Sequence, residues 1–190
     1  MADLSFPITG DPDDDALLLE NPFALLLGML LDQQVPMEWA FRSPARLRER
    51  MEAAEPNSFS PEGLAALDEE DVIALFAEKP ALHRYPKSMA KRAHGVARIL
   101  VDEYGGDAAT LWQTADDGAE LYRRLRTLPG YGEEKAKIFV ALLGKQLGVE
   151  PKRISDAALQ QLSTFSFPGN VRQLENICHW LTVMAPAQVV

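Results

Sequence analysis

The stretch "LPGYGEEKAKIFVALLGKQLG", residues 128–148, decides the fold. A proline and a glycine–aromatic–glycine corner, Gly130-Tyr131-Gly132, separate two runs of helical period. Pro129 ends the first run, because it has no N–H to donate and crowds the preceding turn. Gly130 and Gly132 are expected to supply backbone angles closed to other residues and to keep side chains off the tip. The second helix then begins with its unpaired N–H groups pointing outward. These suit an anionic oxygen, and the helix dipole helps. Ala136 lets two helices cross closely, while Leu128 and Tyr131 plug the corner into a core.

Taken together, Leu125, Leu128, Gly130, Tyr131, Gly132, Ala136, Phe139 and Val140 follow the pattern of a helix-hairpin-helix. An ordinary αα-hairpin would also use glycines to turn. The full eight-position pattern points further, to a sequence-independent grip on a nucleic-acid backbone.

Outward from the corner the period stays helical, and no segment alternates with period two over a useful length. Asn21-Pro22 offers an N-cap followed by proline at the first helical position. The apolar run Phe23 to Leu31, broken by Gly28 and stopped at Asp32, reads as a core helix too short to span a bilayer. Gln33-Gln34-Val35-Pro36 ends or bends it, and Ser43-Pro44 is expected to cap a separate helix through Met51. Short helices open at Ser60-Pro61 and at Asp68. A longer one runs from Pro86 or Pro80 to about Tyr104, where Gly105-Gly106 stops it. Thr110 to Thr114, Gly118 to Thr127 and Glu133 to Gly148 complete an all-α chain, with a composition seam near residues 148–152.

Net charge is −9, which argues against indiscriminate nucleic-acid binding. The charge is segregated, however. From Lys79 to Arg98 there is no acid, while Lys79, Arg84, Lys87, Lys91, Arg92 and Arg98 accumulate beside His83 and His94. Such a segment is either a solvated helix face or a docking face. Cys178 stands alone in an amphipathic run and reads as a buried structural thiol. The histidines lack partners at metal spacing, and Trp39, Trp112 and Trp180 sit in apolar helical patterns that read as core. The N-terminus carries no signal-peptide pattern, so a soluble, cytoplasmic chain is expected.

The hairpin, with "HRYPKSMAKRAHGVARILVDEYGGD" and "NPFALLLGMLLDQQVPMEWAF" before it, resembles the HhH-GPD superfamily of base-excision DNA repair glycosylases over about residues 20–149. The resemblance implies a compact helical fold that binds double-stranded DNA at a damaged or abasic site, with Gln33 and Gln34 beside the lesion. It also implies a monovalent cation held by hairpin carbonyls; no other cofactor is expected. In that family an aspartate beyond the hairpin drives hydrolysis, and bifunctional members add a lysine six residues after the hairpin leucine. Here that position is Glu134, with Lys135 one step away, about 100° around the helix. The candidate for the aspartate is Asp156, but the family context around it is absent and an early-turn acid after Ser155 explains it as well.

The last forty residues carry a different likeness. Phe167-Pro168-Gly169-Asn170-Val171-Arg172-Gln173-Leu174-Glu175-Asn176 resembles the end of the ATPase domain of NtrC-like bacterial transcriptional activators. In those proteins the arginine matching Arg172 senses the nucleotide γ-phosphate. This chain has no Walker-type loop, so Arg172 is a remnant and no ATP binding is expected.

The chain therefore reads as a chimera of two parts, built by design or by natural fusion. Residues 1–150 are expected to form a DNA-repair-like helical domain, and 151–190 to add two foreign helices packed on it. The candidate DNA contacts are Leu128, Gly130, Tyr131, Gly132, Lys135, Gln33, Gln34, Lys87, Lys91 and Arg92.

Overall fold

The computed structural model describes residues 8–146, and within them every regular element is helical. In chain order the helices are α1 Pro12–Glu20, α2 Pro22–Leu31, α3 Met37–Ala54, α4 Pro61–Ala66, α5 Glu69–Ala77, α6 Pro86–Tyr104, α7 Thr110–Gln113, α8 Gly118–Thr127 and α9 Glu133–Gln146. The seam at 148–152 and the expected C-terminal helices lie outside the described residues. So do Asp156, Arg172, Cys178, His179 and Trp180.

Helix α2 forms the centre. Every residue from Phe23 to Leu31 is buried, so the run is apolar on all sides because all sides are covered. Gly28 does not break it: the Phe41 ring of α3 lies where a Cβ would stand, only 2.7 Å away. Asn21 starts the helix by accepting from Phe23 N (3.0 Å) and Ala24 N (3.1 Å). Changing Asn21 to alanine is expected to cost about 1 kcal/mol, read as a lower urea midpoint with an unchanged m-value.

Three local expectations need correction. Helix α1 was not expected. Asp11 caps it, accepting from Asp13 N and Asp14 N, with Pro12 in its first turn and acids at the positive end of the dipole. Ser43-Pro44 does not open a new helix, because α3 continues through Pro44. Met37, Ala40, Phe41, Pro44, Leu47 and Met51 make one buried stripe, and that burial outweighs the missing N–H. The fully buried Ser43 Oγ lies 2.8 Å from Trp39 O and 2.6 Å from Leu82 O, which ties α3 to the loop before α6. Finally, Gly130 adopts a left-handed backbone (φ 86°), but Gly132 does not. Gly132 instead stands at an open tip, with nothing within 4 Å of where a Cβ would be.

Helices α4 and α5 pack on α6, and α8 packs on α9. The inner face of α6 carries Met89, Ala93, Val96, Ala97 and Leu100, and a left-handed Gly105 ends the helix. The aromatic core beneath the hairpin joins Phe139 to Trp112 (6.0 Å between ring centroids) and to Tyr131 (6.1 Å). Trp39 is only partly buried and packs against the core.

Candidate nucleic-acid interface

The site begins at the C-terminal end of α2, where the last carbonyls of a helix lose their intrahelical partners and the dipole is negative. Donors from three other segments close this end. Lys135 Nζ, from the first turn of α9, donates to Leu30 O at 2.6 Å. His83 Nε2 lies 2.9 Å from Gln33 O, and His83 Nδ1 accepts from Tyr85 N at 3.0 Å. That second bond fixes the proton on Nε2, so the neutral ring is the donor. Arg92 Nη1, from α6, donates to the Gln33 side-chain oxygen at 2.8 Å.

The hairpin locks onto the same place. A Cβ on Gly130 would meet Leu30 Cδ1 at 2.6 Å and Arg92 Cδ at 3.0 Å, so only glycine allows this approach. Tyr131 is 2% exposed and its hydroxyl donates to Leu26 O at 2.6 Å. Leu128 is equally buried. These two side chains therefore shape the corner, and what the corner presents outward is backbone, Gly132 and the free amides that open α9. Glu133 and Glu134 sit at this opening, but Lys137 holds both, at 2.6 Å and 3.7 Å.

Electrostatics at this end follow first from burial, with neighbouring positive groups adding to it. Burial lowers the Lys135 ammonium to about 8, with Asp32 pulling it up and Arg92 pushing it further down. Burial also lowers His83, and the Lys135 and Arg92 charges add to that effect. A lysine depressed this far, at the meeting point of three segments, is the kind of group found at functional sites.

Beside this cluster, the start of α6 is an open groove of about 680 Å³ lined by Arg84, Tyr85, Pro86, Lys87, Ser88, Lys91 and Arg92. Tyr85 is 44% exposed, the only large hydrophobic so exposed among the described residues, and the Arg84 guanidinium lies over its ring at 5.6 Å. Tyr85 and Arg84 were not among the expected contacts. The signal was present in an exposed aromatic between arginine and proline inside an acid-free segment. Lys91 is partly neutralised by Glu69 at 2.6 Å. Gln34 is exposed with a left-handed backbone (φ 59°), unusual for a side chain of its size. The two described histidines of the basic segment face backbone carbonyls, since His94 Nε2 lies 3.4 Å from Ala65 O.

The sequence model of the HhH-GPD superfamily base excision DNA repair protein matches residues 27–150, well over half of the chain, from within α2 through α9. The chain belongs to the HhH-GPD superfamily. A second model, the AAA+ ATPase lid domain, matches residues 135–190, so the two matches overlap along α9. The DNA-binding transcriptional regulator NtrC of Klebsiella pneumoniae is 47% identical over 55 residues, covering 29% of this chain and 12% of that regulator. NtrC of Escherichia coli (strain K12) is 32% identical over 143 residues, covering 67% of this chain and 30% of the regulator. This HhH-GPD chain thus spans less than a third of either regulator. Among solved structures, a trapped endonuclease III–DNA covalent intermediate overlays with a TM-score of 0.48 at 20% identity, covering 88% of this chain and 67% of that one. No helix among the described residues is long and apolar enough to cross a membrane.

Proposed function

We propose that this HhH-GPD chain grips the backbone of double-stranded DNA, with preference for an abasic or damaged site, and no longer releases bases. The observation that carries this reading is the contact of Gly130 with both Leu30 and Arg92. It makes one face of the hairpin, the Gln33-Gln34 end of α2 and the basic start of α6. On that face the amides around Glu133 and the exposed Gly132 meet phosphate, while Lys87 and Arg92 supply charge. Gln33 and Gln34 lie beside the lesion. Lys91 contributes less, because Glu69 shares its charge. Tyr85 offers its ring to an unpaired base, and such stacking is worth about 1–3 kcal/mol per base.

Loss of chemistry rests on three features. Glu134 stands at the position where a lyase amine is expected. The neighbouring Lys135 turns inward to Leu30 O. The remaining carboxylate candidate, Asp156, lacks the family context. A chimeric origin is supported by the overlap of the two family matches on α9, which would be the shared joint. A second reading, a recombined scaffold without activity, is favoured by the net charge of −9 and by Glu133 and Glu134 at the hairpin mouth.

The test pairs binding with base release. Duplexes carrying a single damaged base or an abasic analogue are expected to bind more tightly than undamaged duplex, without freeing base above the spontaneous rate. Enzymatic base release would overturn the loss of chemistry, and absence of any binding would favour the scaffold reading. Tyr85→Ala is expected to weaken binding of a duplex with one unpaired nucleotide by at least about fivefold, and to leave fully paired duplex unaffected.

A further inference from the structure

The family resemblance implies a diffusible monovalent cation at the hairpin carbonyls, and the residues present fit that ion poorly. Arg126, in the last turn of α8, donates from Nη1 to Tyr131 O at 3.2 Å. That oxygen lies in the turn, between the left-handed Gly130 and the start of α9. A metal ion seated on Tyr131 O would stand beside a guanidinium that already donates to it, and like charges at that spacing repel.

We infer that Arg126 is the hairpin's built-in cation, taking the role of a diffusible monovalent ion. Its position serves two demands at once. It puts a positive charge on the negative end of the α8 dipole, and it neutralises the carbonyl at the corner. It also helps to keep the Glu133 carboxyl low, behind the larger effect of Lys137. Arginine suits the task because its charge does not titrate and its planar fork holds a fixed direction. The consequence is a hairpin whose geometry does not depend on which alkali ion is present.

The inference concerns the corner itself and stands whether or not the chain binds DNA, so the readout is stability. Thermal unfolding of the full chain would be followed in potassium, sodium and tetramethylammonium chloride at one ionic strength, for wild type, Arg126→Met and Arg126→Lys. Methionine keeps an apolar stem and removes the charge, whereas lysine keeps the charge. Wild type and Arg126→Lys are expected to melt within about 1 °C across the three salts. Arg126→Met should melt several degrees lower in tetramethylammonium and recover, saturably, with potassium or sodium. A saturable alkali-ion stabilisation of wild type would overturn the inference. So would equal melting of Arg126→Met in all three salts, because the corner would then need no cation at that oxygen.

Discussion

Gly130→Ala lowers stability by about 2–4 kcal/mol, the sum of a strained left-handed backbone and a clash with packed atoms. At φ 86° a Cβ is disfavoured before any neighbour is considered. The nearest atom, Leu30 Cδ1 at 2.6 Å, belongs to a fully buried side chain that has no free space to yield. Arg92 Cδ at 3.0 Å closes the other side, so relief there would disturb the bond from Arg92 to Gln33. Urea or thermal unfolding gives the number, and a melting loss of roughly 5–15 °C follows for a chain of this size. Gly132→Ala is the matched control. Its Cβ meets nothing and its backbone is not left-handed, so only the poorer cap is felt, at under about 1 kcal/mol. Equal losses in the two variants would mean that the corner is not clamped against α2 and α6.

Lys135→Met has the opposite sign: it raises stability at pH 7 by about 1–2 kcal/mol. Depression of the ammonium from 10.5 to about 8 is a measure of what the fold loses by keeping that charge. Partial exposure of the side chain and loss of the bond to Leu30 O both reduce the gain. The pH dependence fixes the assignment. Below pH 8 lysine is protonated in both folded and unfolded chains, and the full penalty applies. Between about 8 and 10.5 the unfolded chain keeps the proton that the folded chain gives up, so wild-type stability climbs through that window. The advantage of Lys135→Met should therefore be greatest below pH 8 and shrink by pH 10.5, as measured by urea midpoints across that range. An advantage constant with pH would assign the effect to packing instead of charge.

Most of the helix boundaries were legible because caps and breakers act locally. Asn21-Pro22, Ser60-Pro61 and Gly105 each set an end through a bond or backbone angle visible in the residue types. The failures came where tertiary burial decides. Pro44 reads as a boundary in one dimension, yet a buried stripe on both sides of it keeps α3 whole. Helix α1 escapes a reading by apolar period because three acids fill its first turn, although Asp11-Pro12 carries a start signal. The hairpin pattern announced the candidate site, and Gln33, Arg92 and Lys135 do meet at the end of α2. What spacing could not reveal is which way each side chain turns. Tyr131 turns inward to Leu26 O as the corner led one to expect, but Lys135 also turns inward, to Leu30 O, and Tyr85 outward to solvent, and only the packing of α2, α6 and α9 decides those two.

The central claim is that the hairpin and the start of α6 form one face that holds a DNA backbone. Its most direct test is fluorescence anisotropy of a labelled duplex carrying an abasic analogue, titrated across a salt series. The comparison is between wild type and an Arg84→Gln, Lys87→Gln double variant, both positions being exposed on the groove. Wild type should bind with log affinity falling linearly against log salt, and the double variant should bind more weakly with a slope shallower by about 2. No wild-type binding at low salt, or binding with an unchanged slope in the variant, would contradict the account.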